Sequence, residues 1–245
     1  MAKSLIHKSK GLNHYYEVWE NCGLLELKFK TPGVETRLDL RRPYEIHLPY
    51  LKAMLISTYF NPKPSNILLL GLGGGSLVHY FKHYHPNTKI TVIEHSKDIV
   101  SCAYNFFGLK AHKGSFDVFI ENAFHYIKNV NIKYDVIFVD IFSLDKSPPY
   151  SFTDFYSYCR SALTDNGTIS INHTFTKQRW IQDILTSSSH VFGGRVVSIP
   201  IKDNLNLVTI GSLDDNFYDN ANNLLEKDIF LSIQKTYSMG LIGKI

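Results

Sequence analysis

The chain has 245 residues, 44% of them hydrophobic and 20% charged, and Lys plus Arg exceed Asp plus Glu by four. That supplies a core for one moderate domain, or for a main domain with an appendage, and excludes a disordered polymer. Basic residues are scattered, with "HKSK" and "LRRP" the only small clusters, so the basic stripe of a nucleic-acid binder is missing.

No apolar run approaches the roughly 20 residues that span a bilayer, and "MAKSLIHKSK" lacks the apolar centre of a signal peptide. Cys22, Cys102 and Cys159 are far apart, odd in number and outside any metal spacing. These features point to a cytoplasmic protein with neither a nucleic-acid nor a membrane partner.

The first patterned segment, "LLELKFK", alternates Leu25, Leu27 and Phe29 against Glu26, Lys28 and Lys30, the period of a half-buried strand. After the turn signal "TPG", "VETRLDL" is placed to pair with it, and the chain up to about residue 42 reads as a small antiparallel region. "PYEIHLPYLKAMLISTYF" then puts Ile46, Tyr50, Leu51, Met54 and Leu55 on one helical face, with Pro49 marking the regular start. "NPKPS" is a linker. Residues 1–60 therefore read as an antiparallel β region with a linking helix, and 61–245 as the ligand-binding domain.

From Asn66 the pattern alternates strand and helix. "NILLLG" is followed by a helix from Ser76 to about His85, "KITVIE" by a helix around "DIVSCAYNFF", "DVFI" by "AFHYIKNV", and "YDVIFVD" by a helix around "TDFYSYCRSAL" and the strand "GTISIN". Repeated β-α units of this length imply an open parallel sheet with helices on both faces. "RVVSIPI" and "NLVTIGS" form a closing hairpin. The expected fold is α/β, a Rossmann-like sheet of the methyltransferase type, mostly parallel with an antiparallel hairpin at its C-terminal end. "NNLLEKDIFLSIQKTY" reads as an amphipathic closing helix.

Ligands of open α/β sheets sit beyond the carboxyl ends of the strands. The first strand ends in the cluster Gly71, Gly73, Gly74 and Gly75, where the backbone can turn sharply and approach a ligand. The second ends at Glu94, close to the ~20-residue interval at which an acid accepts hydrogen bonds from ribose hydroxyls. The third delivers Glu121 and Asn122, whose side chains suit an adenine edge, although Asn122 reads equally as the N-cap of the following helix. The fourth delivers Asp140. Asp135 reads as a polar residue leading its strand, and "HYFKHYHP" as a helix end with solvated histidines, with no metal expected. A dehydrogenase ranks last because the third loop glycine is missing.

Two stretches carry a resemblance that covers most of the chain: "LDLRRPYEIHLPYLKAMLISTYFNPKPSNILLLGLGGGSLVHYFKHYHPNTKITVIE" and "YDVIFVDIFSLDKSPPYSFTDFYSYCRSALTDNGTISIN". They resemble the spermidine synthase (polyamine aminopropyltransferase) family in its bacterial spermidine-synthase-like branch. The resemblance implies aminopropyl transfer from decarboxylated S-adenosylmethionine to a small amine, with methylthioadenosine released. It also implies a homodimer joined through the N-terminal strands. Glu94 matches the ribose-binding acid and Asp140 the catalytic one. Asn122, with Ala123 beside it, stands where the family has an adenine-binding acid. Tyr50 and Asp145 fall on the acceptor side and Phe142 against the acceptor or the adenosine, the last two residues in a loop over residues 141–150 that closes the site.

Three departures accompany these matches. Gly74 stands where the family's glycine loop carries an acid for the aminopropyl ammonium. Ser143 replaces a second acid, with Asp145 near it. Lys52 follows Tyr50 where a Tyr-His-Glu run is usual, and a lysine repels a diamine. Two other readings fit the same fold. One is methyl transfer from intact S-adenosylmethionine, favoured by loss of the loop acid; the other is an S-adenosyl or nucleoside-binding protein without turnover.

Overall fold

The computed structural model describes residues 3–9, 15–30, 33–141, 151–174, 178–201 and 206–219. Phe142, Ser143, Asp145 and the expected closing helix lie outside them.

Four N-terminal strands form one antiparallel sheet in chain order: β1 (Ser4–Lys8), β2 (Glu17–Asn21), β3 (Leu24–Lys28) and β4 (Thr36–Leu38). The expected pairing of "LLELKFK" with "VETRLDL" is the β3–β4 ladder, in which Glu26 lies opposite Arg37. Asn21 pairs with Leu24, and the two residues between them, Cys22 and Gly23, both have positive φ, 54° and 82°. This is the two-residue turn whose twist matches that of the flanking strands. Val18, Leu27 and Leu38 pack on Ile99, Cys102 and Phe107.

The alternation in β3 needs one correction. Glu26 does not face water; it is 1% exposed. Arg37 donates to its Oε1 through Nε (3.1 Å) and Nη2 (2.8 Å), Lys3 Nζ to its Oε2 (3.1 Å) and Asn21 Nδ2 to its Oε1 (3.2 Å). The cross-strand arginine makes burial of the carboxylate tolerable.

Helix α1 (Pro49–Met54) starts at the proline, buries Tyr50, Leu51, Ala53 and Met54, and leads through α2 (Ser57–Phe60) into the second sheet. That sheet holds β5 (Asn66–Leu70), β6 (Lys89–Glu94), β7 (Asp117–Ile120), β8 (Tyr134–Val139), β9 (Leu163–Thr174), β10 (Val196–Ile201) and β11 (Asn206–Ser212), in the order β10-β11-β9-β8-β5-β6-β7. β9, β8, β5, β6 and β7 run parallel, and β11 is antiparallel to both β9 and β10. The Rossmann-like sheet with its antiparallel hairpin is thus borne out.

β5 shows why an unbroken apolar run belongs at the centre of such a sheet. Ile67 and Leu69 enter the core on one face, with Val78 and Phe81, while Leu68 and Leu70 enter the core on the other, with Phe155 and Tyr156. Between the strands run α3 (Ser76–Tyr84), α4 (Lys97–Phe106), α5 (Ala123–Asn129), α6 (Phe152–Ser161) and α7 (Gln178–Val191). α7 had no counterpart in the sequence pattern. Its "TSSS" run favours turns and caps over helix interiors, and Ile184 and Leu185 hold it by packing with Leu207.

Two polar residues gain definite roles away from the ligand end. Asp135 Oδ2 accepts from the backbone N–H groups of Ser65 (2.8 Å) and Asn66 (3.0 Å), which ties the linker to the start of β8. His79 is 2% exposed, so it is not one of the solvated helix-end histidines. Its Nε2 lies 2.8 Å from Phe107 O and its Nδ1 3.0 Å from His112 Nε2.

Candidate active site

Backbone hydrogen bonds set the strand ends side by side. Asp140 N donates to Leu70 O (2.8 Å), Gly71 N to Ile93 O (2.8 Å) and Glu121 N to Glu94 O (3.2 Å). The exits of β8, β5, β6 and β7 therefore form one row, the crevice in which open α/β sheets bind ligands. A surface concavity lined by Phe60, Asn61, Asp135, Thr164 and Asp214 lies at the amino ends of the strands and takes no part in it.

Gly71, with φ +100°, is required by this row: a Cβ there would come 2.4 Å from Asp140 O. Three N–H groups of the loop it opens are taken up within the protein. Leu72 N donates to Glu94 Oε2 (3.1 Å), Gly74 N to Thr36 Oγ1 (2.8 Å) and Gly75 N to Leu72 O (2.9 Å). A pyrophosphate cradle presents its N–H groups to the ligand, whereas this loop spends these three on the protein, which suits a nucleoside without phosphates. Ser76 Oγ, at the start of α3, is buried and has no partner among the described residues.

Glu94 is 6% exposed. Burial pushes its carboxyl up, but His95 and the N–H groups of Ser96 and Leu72 outweigh burial and hold it below the ordinary carboxylate value. It is an ionised acceptor fixed against the loop, the state that ribose hydroxyls need. Asn122 caps α5: its Oδ1 accepts from Phe124 N (2.9 Å) and His125 N (3.1 Å), leaving its amide NH₂ for a ligand. Ala123, the first residue of that helix, is buried beside it.

Asp140 stands at the centre of a polar relay. Tyr50 Oη donates to its Oδ2 (3.1 Å) and Asn172 Nδ2 to its Oδ1 (2.9 Å), while Asn172 Oδ1 accepts from Asn206 Nδ2 (2.7 Å). The parallel register sets Val139 beside Ile171, which brings Asn172 next to Asp140. Desolvation raises the Asp140 carboxyl above its ordinary value; the bonds from Asn172 and Tyr50 oppose this, and the charge of Glu94 adds to it. Desolvation and the nearby charges of Asp140 and Glu35 push the Tyr50 phenol well up, so it remains a donor.

The match to the Spermine/spermidine synthase domain runs over residues 53–210, more than half of the chain. The chain belongs to this family. A polyamine aminopropyltransferase of Chromobacterium violaceum is 27% identical over 185 residues, covering 75% of this chain and 70% of that one. The structure of a probable spermidine synthase from Corynebacterium glutamicum aligns with a TM-score of 0.77 at 16% identity, covering 97% and 90% of the two chains. Human methyltransferase-like protein 13 in complex with SAH shares the fold at a TM-score of 0.61 and 22% identity, over 74% of this chain and 94% of that one.

Within the family, the departure at Gly74 has a steric basis. A Cβ there would lie 2.5 Å from Thr36 Cγ2 and 3.0 Å from the Phe107 ring, so β4 and the end of α4 occupy the room an acid would need. Sequence reasoning missed Thr36, Glu35, Asn172 and Asn206. Asn172 ends the run "GTISIN", and the strand-end rule applied to that run finds it; Thr36 approaches on β4 of the other sheet with Glu35 just before it, and neither has such a signal.

Proposed function

We propose that this member of the family transfers an aminopropyl group from decarboxylated S-adenosylmethionine to a small amine, releasing methylthioadenosine. The observation that carries the reading is Asp140, held by Tyr50 and Asn172 at the strand end beside the glycine loop. In the reaction the lone pair of a neutral amine attacks the aminopropyl carbon bonded to the sulfonium. That C–S bond breaks, its electrons neutralise sulfur, and the amine proton passes to Asp140. A carboxyl raised by burial is suited to accept that proton.

The residues fit the nucleoside. Glu94 is the ribose acceptor, the loop of Gly71, Gly73, Gly74 and Gly75 lies under the thioadenosine, and Asn122 with Ala123 faces the adenine. Tyr50 lies on the acceptor side. The decarboxylated cosubstrate is favoured over intact S-adenosylmethionine because, among the described residues, no cation figures with the groups that set the charge of Asp140, and a second carboxylate brought beside Asp140 and Glu94 is repelled. The same point argues against methyl transfer. Leu5 and Ile6 on the edge strand β1, 46% and 49% exposed, support a homodimer through the N-terminal sheet. Three free cysteines support a cytoplasmic setting.

The test is Asp140→Asn, followed by methylthioadenosine release and by calorimetric binding. The variant is expected to bind decarboxylated S-adenosylmethionine within about threefold of the parent and to lose turnover by about a hundredfold or more. Retained turnover places the base elsewhere. Preference of the parent for intact S-adenosylmethionine by about tenfold overturns aminopropyl transfer.

A further inference from the structure

We infer that Glu35 is the second carboxylate of this site, forming with Asp140 a subsite for a primary ammonium group of the bound ligands. The inference rests on the reading of the site as one for an S-adenosyl compound and an amine.

Position comes first. The Tyr50 hydroxyl that donates to Asp140 Oδ2 at 3.1 Å also lies 3.3 Å from the main-chain carbonyl oxygen of Glu35, so the phenol sets the Glu35 backbone beside the base. The next residue, Thr36, accepts from Gly74 N, and a Cβ on Gly73 would lie 4.0 Å from Glu35 O. Glu35 is thus set between the glycine loop and the base. Thr36 on β4 helps exclude an acid at position 74, and the residue just before that strand is an acid, Glu35.

The pairing of nearby charges points the same way. Three arginines follow Glu35 closely, and each serves another carboxylate: Arg37 binds Glu26, Arg41 binds Asp39 and Arg42 binds Glu45. No hydrogen bond or ion pair reaches the half-buried Glu35 carboxylate among the described residues. Desolvation, joined by the charge of Asp140, pushes it up to about 7. Two carboxylates that repel each other across a desolvated site are relieved when a cation enters. A primary ammonium, with three donors, serves both.

Two ligands of the reaction carry such a group: the aminopropyl end of the cosubstrate and the far end of a diamine acceptor. Glu35→Gln separates them. Calorimetry compares decarboxylated S-adenosylmethionine with methylthioadenosine, which lacks the ammonium, and steady-state kinetics compares putrescine with butylamine. Loss of about tenfold or more in affinity for the decarboxylated cosubstrate, with methylthioadenosine unchanged, assigns the subsite to the cosubstrate. A comparable rise in KM for putrescine alone assigns it to the acceptor. If all values stay within about twofold, or if methylthioadenosine weakens equally, the proposal is overturned. Glu35→Ala must reproduce the pattern, with thermal unfolding of both variants confirming the fold. A parent protein that binds neither nucleoside sinks the functional reading itself, an outcome distinct from any of these.

Discussion

Gly74 offers a direct test of how the N-terminal sheet shapes the ligand loop. Ordinary contacts of a Cβ start at 3.4 Å, and alanine at this position would meet Thr36 Cγ2 at 2.5 Å and two Phe107 ring atoms at 3.0 Å. The Phe107 ring is fully buried, and the Thr36 hydroxyl is fixed by Gly74 N, so neither neighbour yields freely. Overpacking of this kind costs about 1–3 kcal/mol. Gly74→Ala is therefore expected to lower the free energy of unfolding by about that amount in urea titrations. Thr36→Ser keeps the hydroxyl and removes the clashing methyl, so the double variant should recover part of the loss. A coupling energy of about 0.5 kcal/mol or more between the two sites is the signature. Gly74→Ala within about 0.5 kcal/mol of the parent, or strict additivity with Thr36→Ser, refutes the steric account.

Glu26 and Glu35 give opposite responses to pH. Burial pushes Glu26 up, but the bonds from Lys3, Asn21 and Arg37 prevail and bring it from 4.5 down to about 2. Its contribution is therefore present above pH 4.5 and is lost as pH falls toward about 2. Glu26→Gln should cost about 1–3 kcal/mol at neutral pH and progressively less in acid, read by denaturation at several pH values; a constant gap contradicts the assignment. Glu35, raised from 4.5 to about 7, keeps its proton longer in the folded state, so stability should fall as pH rises through that window. Glu35→Gln should remove this slope, and an unchanged slope shows that other groups set it. Asn172→Ala deletes a bond that holds the Asp140 carboxyl down. The acidic limb of the kcat/KM profile should then move to higher pH, by on the order of one unit; a shift to lower pH contradicts the relay.

Much of the ligand-binding half was legible because its signals are local. Apolar runs gave β5, β6 and β8, and the rule that ligands sit past strand ends selected Gly71, Glu94 and Asp140, which the backbone bonds set in one row. Burial of Glu26 was not legible: alternation assigns it to the wet face, and only the facing arginine on β4 makes the buried position tolerable. His79 was misread for a similar reason, since its partners Phe107 O and His112 arrive from beyond the next helix. Thr36 opens the short strand β4 and Glu35 precedes it, with no pattern pointing at residues so distant in the chain. Helix α7 rests on packing against Leu207 and runs against its own serine-rich propensity.

The relay around Asp140 joins residues separated by long stretches of chain: Tyr50 lies 90 positions before it and Asn172 lies 32 after it. Ordering the base therefore closes large loops. Closing loops of this range costs chain entropy and slows folding. Proton acceptance by Asp140 is thus a property of the assembled chain.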